Sequence, residues 1–232
     1  MLVATYNVRH GRPWRGFTSN AWLARSIGRI GADVLAVQEV ERSVVRSWFA
    51  DQPKLIAGAA GATAVAYAPA RRLGLTGSDG IALCVRGTIL DHHVLRFQSA
   101  GPRQDRVALI ATVEAAGTRA SVVVTHLQNA VADAKEQLDE LLDAITGLSR
   151  PCVLLGDLNL ETGDVAVACE AAGFQLAGGP PSAPARRARQ RIDHIAVDGL
   201  HVHTVDVRYL PVSDHRAVIA DVRPAPVGSA PR

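Results

Sequence analysis

Hydrophobic positions along this chain change their period repeatedly, and each change marks an element. Residues 2–8, "LVATYNV", alternate as a strand does. In "SNAWLARSIGRIGA" the apolar residues fall at Ala21, Leu23, Ala24, Ile27 and Ile30, the spacing of a helix face, with Ser19 or Asn20 placed to cap it. "DVLAVQEV" reads as a short buried strand, and 41–60 as helix broken around Pro53. A β-rich middle follows at about 63–68, 80–86, 88–97, 105–114 and 119–125, punctuated by turns at Gly87, "SAGPR" and "AAGT". Between 130 and 147, Val131, Ala134, Leu138, Leu141, Leu142 and Ile145 share one face, while "DAKEQ" and Asp139 occupy the other. A strand at 152–156, a helix at 163–172 and strands near 192–197, 202–208 and 216–222 complete the pattern. "RPAPVGSAPR" reads as a frayed tail.

Strands outnumber helices, and helices interrupt strand clusters in both halves. That order predicts an α/β fold with two sheets packed face to face and helices outside, not a doubly wound sheet. With no repeat and no shift in composition, the chain reads as one domain over 1–223 followed by a flexible tail over 224–232. Its 232 residues, 48% hydrophobic and 20% charged, exclude a disordered chain and suffice for a large core. No apolar run approaches the roughly 20 residues of a membrane span. "MLVATYNVRHG" enters a strand at once without the regions of a signal peptide, so a cytoplasmic protein is expected. Cys84, Cys152 and Cys169 lack the close spacing of a zinc site and read as buried free thiols. A net charge of +3 is mild, but "ARRARQR" concentrates Arg186, Arg187, Arg189 and Arg191. Such a run is either a solvated loop or a contact for an anion.

Polar residues collect where the apolar runs stop. The strands end in Tyr6-Asn7, Gln38-Glu39, Thr125-His126 and Asp157-x-Asn159, while Asp193-His194 and Asp214-His215 stand just ahead of two others. Taken singly, each has an ordinary use as a turn former, a cap or a satisfied polar group. Six together matter more, because sheets gather strand ends along a shared rim. Carboxylate and amide oxygens without cysteine favour a hard cation, Mg²⁺ or Mn²⁺, over zinc. A histidine beside a carboxylate adds proton transfer near neutral pH. The combination suits metal-assisted hydrolysis of a phosphate ester.

"TYNVRHG", "LAVQEV", "VVVTHLQN", "LLGDLNL", "RIDHIAV" and "VSDHRAV" occur in an order that resembles the motif series of the endonuclease/exonuclease/phosphatase superfamily, whose fold is DNase I-like. The series runs from residue 5 to 218 and implies a four-layer α/β/β/α sandwich. By this resemblance Glu39 is the principal metal ligand, with Asn7 beside it and Asp214 as a contributor. Asp157 orients or deprotonates the attacking water, and Asn159 holds a phosphate oxygen. His215 is the essential histidine, oriented by Asp193, and His126 donates to the transition state or leaving group. Asp79 is placed to partner His126, and Arg106 and Arg191 to face phosphate. The superfamily acts on nucleic acids, sphingomyelin, phosphoinositides and smaller esters. The "ARRARQR" run before Asp193 favours an extended anion such as nucleic acid. A lipid or small-molecule phosphodiesterase is the alternative, although the loops show no evident apolar patch for a membrane. A catalytically dead binding module is a third reading, which the retained site residues disfavour. No obligate protein partner is implied, and a monomer is expected.

Overall fold

The computed structural model describes residues 1–98 and 106–224. Its strands are β1 (Leu2–Asn7), β2 (Val34–Arg42), β3 (Ala64–Leu73), β4 (Gly77–Val85), β5 (Gly87–Arg96), β6 (Val107–Ala115), β7 (Thr118–His126), β8 (Cys152–Asp157), β9 (Gln175–Leu176), β10 (Asp193–Asp198), β11 (Leu200–Arg208) and β12 (Ala217–Pro224). The helices are α1 (Asn20–Ile27), α2 (Gln52–Ala60), α3 (Val131–Ile145) and α4 (Thr162–Ala171). Two six-stranded sheets result, ordered β11-β12-β1-β2-β4-β3 and β5-β6-β7-β8-β10-β9. Each is antiparallel except for one parallel pair, β1–β2 and β7–β8, joined by a crossover through α1 or α3.

Period-two alternation explains the layering. Val3, Val34, Leu83 and Val218 of the first sheet face Leu109, Val122, Val153, Leu155 and Ile195 of the second in one buried core. The opposite faces carry the helices. Leu23 and Ile27 of α1 and Ile56 of α2 cover Tyr6, Leu35 and Val37. Leu138, Leu141 and Ile145 of α3, with Val165 and Cys169 of α4, cover Ile110 and Leu154. The result is the expected four-layer α/β/β/α sandwich, and all three cysteines are buried and free. Among the described residues no helix is long and apolar enough to cross a membrane.

Local differences from the sequence pattern have identifiable causes. Residues 41–60 are not a broken helix. β2 continues to Arg42, a single 3₁₀ turn occupies Val45–Ser47, and α2 starts at Gln52. Pro53 sits in the first turn of α2, where its missing N–H costs nothing, and Asp51 caps that turn by accepting from the Lys54 amide. Ser19 rather than Asn20 caps α1, accepting from the Trp22 amide. Two-residue β9 is too short for any periodicity to reveal. β12 extends through Arg223 and Pro224. The "SAGPR" turn and the remainder of the tail lie outside the described residues.

Candidate active site

The faces that pack the core also build the site. In β8, Val153 and Leu155 point inward, so Asp157 does too; Val122 and Val124 in β7 aim His126 the same way, and Ile195 and Val197 in β10 aim Asp193. Strand register then sets His126 opposite Asp157 and Asp157 opposite Asp193, one polar row across three strands. In the first sheet, Val3-x-Thr5-x-Asn7 delivers Asn7, and the Thr5–Gln38 side-chain pair stands one step deeper. The site is the polar end of the inter-sheet core.

Asn7 ties the sheets together. Its Nδ2 donates to Glu39 Oε1 at 3.1 Å and to Asp157 Oδ2 at 2.9 Å, while its Oδ1 accepts from the Arg9 amide at 3.0 Å. Glu39 occupies a β-bulge where the β2–β4 register shifts between Gln38 and Val40, with a left-handed backbone at φ 56°. The bulge turns its carboxylate out of the ladder to a position about one-third exposed. Among the described residues no hydrogen bond to Oε2 is made, and His10 Nδ1 lies 3.9 Å from it.

His215 lies between two carboxylates. Its Nδ1 is 2.9 Å from Asp193 Oδ2, and its Nε2 is 3.7 Å from Asp157 Oδ2. Burial pulls this imidazolium down, but Asp193 and Asp157 together outweigh it and raise the pKa to about 10. Burial pushes Asp157 up to about 7, opposed by His215 and the Asn7 hydrogen bond and reinforced by Asp193. Burial holds His126 well below the ordinary histidine range, with Arg106 adding to it. Since Arg106 Nη1 can only donate, His126 Nδ1 accepts from it at 2.8 Å, and the ring proton sits on Nε2, 3.4 Å from Asp157 Oδ2. The site thus joins a cationic histidine, a neutral histidine and a carboxyl group that titrates near neutrality.

Several expected residues are used differently. The strand ends at Asp157, and Asn159 lies beyond it in a left-handed turn with φ 51°. There its amide N–H donates to Asp157 Oδ1 at 3.2 Å and its side chain to the Leu127 carbonyl at 3.0 Å. Asp79 does not partner His126, whose ring nitrogens meet Arg106 and Asp157; it pairs with Arg71 at 2.8 Å. Asp79 nonetheless lines the same cleft of about 340 Å³ as Glu39, Arg71, Arg106 and His126. Arg191 is buried, its two Nη atoms donating to the carbonyls of Gly179 and Ala177 and its Nε without a partner among the described residues, and it does not line the cleft of Glu39 and His126. Asp214 is paired with Arg9 at 3.3 Å and lines a neighbouring cleft with Trp14 and Arg186.

The donors for a metal form two sets. Asp157, Asp193 and His215 offer ligand atoms within 4.8 Å of one another and could hold a divalent ion once His215 gives up the proton that the two carboxylates keep on it. Glu39 presents a carboxylate oxygen of the kind Mg²⁺ prefers, while Asn7 turns its Nδ2 toward Glu39 and its Oδ1 toward the Arg9 amide, so Asn7 would join a metal only through Oδ1. Sequence reasoning missed Arg9, His10 and Ser213, although the first two stand inside "TYNVRHG". Ser213 Oγ donates to the Asn7 carbonyl at 2.7 Å and accepts from the His215 amide at 3.1 Å, coupling both halves. Arg71 projects from an edge-strand position whose local pattern gives no signal of it.

Fold and site together define a phosphoester hydrolase architecture. The model of the endonuclease/exonuclease/phosphatase family matches residues 4–215, and the chain belongs to that family. No curated protein sequence matches it. Among solved structures, it is similar to an endonuclease/exonuclease/phosphatase from Beutenbergia cavernae, with TM-score 0.80 and 22% identity over 97% of this chain and 72% of that one. A functionally unknown conserved protein from Enterococcus faecalis gives TM-score 0.78 and 20% identity over 97% and 100%. The human Nocturnin catalytic domain with bound sulfate gives 0.74 and 18% over 97% and 94%.

Proposed function

We propose that this protein is a Mg²⁺- or Mn²⁺-dependent phosphodiesterase acting on nucleic acid. The observation that carries the substrate class is a broad groove of about 990 Å³ lined by Trp14, Arg15, Arg186, Arg187 and Arg189. It adjoins the Asp214 cleft through the shared residues Trp14, Arg15 and Arg186. Fixed positive charge on both sides of a hydrolytic centre, here and at Arg71 and Arg106, suits a chain of phosphates better than a single one.

The chemistry follows from the protonation states. Asp157, near 7, accepts a proton from an attacking water. His215, held as an imidazolium by Asp193, donates to a phosphoryl oxygen, and Arg106 positions neutral His126 to donate through Nε2. Glu39 and Asn7 would hold the metal, which supplies charge stabilisation for the phosphoryl group when bound. Asn159 keeps one amide proton for a phosphate oxygen.

A second reading, a lipid phosphodiesterase, draws support from an apolar surface: Phe17 and, unforeseen from the sequence, Val45, Trp48 and Phe49 are all exposed. A panel of plasmid, single-stranded DNA, RNA, sphingomyelin and phosphoinositide, each with Mg²⁺ and Mn²⁺, separates the two. Nucleic acid is expected to be cleaved, with KM rising steeply with salt. Glu39→Gln is expected to raise the metal concentration required, and EDTA to stop turnover. Cleavage of lipid alone, or turnover indifferent to EDTA, would refute the reading.

A further inference from the structure

We infer that a second cleft, reaching Glu39 through His10, is a nucleobase-binding subsite for a strand entering the active site. This rests on the nucleic-acid reading above and names what that strand would contact. The cleft, about 380 Å³, is lined by His10, Arg12, Phe17, Val45, Arg46 and Trp48. Phe17 is 93% exposed and Trp48 78%, so both rings have faces free for stacking.

The exposure of Trp48 is fixed by the backbone. Trp48 and Phe49 adopt left-handed conformations in succession, at φ 58° and 56°, which side chains of this bulk seldom do. Fully buried Gln52 bolts the surrounding loops together. Its Nε2 donates to the His10 carbonyl and to Asn20 Oδ1, its Oε1 accepts from the Glu41 amide, and Asn20 in turn donates to the Ser47 carbonyl. A buried amide network that holds aromatic rings in solvent argues for a surface built to receive something.

Three features select the occupant. The lining contains no carboxylate and two arginines, Arg46 paired with buried Glu41 and Arg12 without an acidic partner among the described residues, so Arg12 complements an anionic chain. Its aromatic residues offer stacking, which any base can use. His10 lines the same cleft and is buried, and neither ring nitrogen has a hydrogen-bond partner among the described residues. An acyl chain would leave those nitrogens unpaired; a base edge would pair with them where the side chains that shield them part. His10 Nδ1 also lies 3.9 Å from Glu39 Oε2, which puts the cleft directly beside the reacting end of the site.

The test is binding of a fluorescein-labelled single-stranded octanucleotide, read by anisotropy in EDTA so that hydrolysis does not intervene. Trp48→Ala and Phe17→Ala change exposed side chains and should fold as the parent does. Each is expected to weaken binding by about 5- to 100-fold and to erase the preference for a base-bearing strand over an abasic strand of equal charge. Unchanged binding in both variants overturns the inference. So does wild-type indifference to the bases, or a loss in both variants confined to phosphatidylserine vesicles. Hydrolysis of bis(4-nitrophenyl) phosphate by the wild type tests the phosphodiesterase reading separately.

Discussion

The two sheets meet at the same cleft and contribute to it by opposite means. The second sheet supplies His126, Asp157 and Asp193 from adjacent positions of three regular strands, each continuing an alternation of apolar residues. The first supplies Asn7 from a regular strand but Glu39 from a bulge with a left-handed backbone. His126 and Asp157, with the Asp193 that holds His215, therefore stand at the paired ends of regular strands, whereas His215 itself comes from the loop between β11 and β12. The carboxylate nearest solvent stands on an irregular and strained backbone, which re-aims a side chain the ladder would have directed elsewhere. Regular geometry sets pKa values through burial; irregular geometry gives access.

The largest expected effect lies in the regular row. Asp157→Asn removes the carboxylate on which Asn7, His126 and His215 all converge. Phosphodiester hydrolysis is expected to fall by about 10²–10⁴-fold with cooperative unfolding retained. Steady-state kinetics beside thermal melts would check this, and activity within a few-fold of wild type would break the distinction between the two sheets.

Asp193→Asn probes the same row more gently. The loss of one carboxylate leaves Asp157 and Asp214 alone to oppose burial at His215 and brings its pKa down from about 10. The rate is expected to fall by about 10²-fold at pH 8, with the alkaline limb of kcat/KM moving to lower pH. Stability offers a second readout with a definite sign. In the wild type the folded His215 keeps a proton that the unfolded chain releases near 6.5. Its contribution is therefore complete below that pH and declines as pH rises toward 10. Melting temperatures from pH 6.5 to 9 should fall less steeply in the variant. Parallel curves would show that Asp193 does not hold the proton on His215.

What the sequence made legible follows the same division. Period-two runs that end in a polar residue revealed both sheets, the layering and the row His126, Asp157 and Asp193. Their side chains share the face of the valines and leucines before them. Positions set by irregular backbone were harder. The β-bulge at Glu39 leaves no periodic trace, and Asn159 looked like a continuation of β8 because two-residue spacing means one face only while the strand lasts. Arg191, which lies outside the cleft of Glu39 and His126, and Asp79, which lines it but pairs with Arg71, differ from expectation for another reason. Carbonyl acceptors at Ala177 and Gly179, and Arg71 on the neighbouring strand, claim them through tertiary contacts that no local window contains. The exposed aromatics were invisible likewise, since Trp48 and Phe49 in sequence are indistinguishable from core residues.

The smallest effect sharpens the contrast from the strained side. Glycine adopts φ 56° without the steric penalty of a Cβ, which is about 1–2 kcal/mol per residue, but adds about 0.5–1 kcal/mol of unfolded-chain entropy. Glu39→Gly loses one partly exposed hydrogen bond to Asn7, whose Nδ2 still donates to Asp157. A net gain of about 0.5 kcal/mol is expected, seen as a rise of about 1–2 °C in melting temperature for a chain of this size. Activity would be lost at the same time. The corresponding change in the regular row has no strain to release. If Glu39→Gly instead destabilises by more than about 1 kcal/mol, the bulge is held for folding and its strain is not the cost of presenting a ligand.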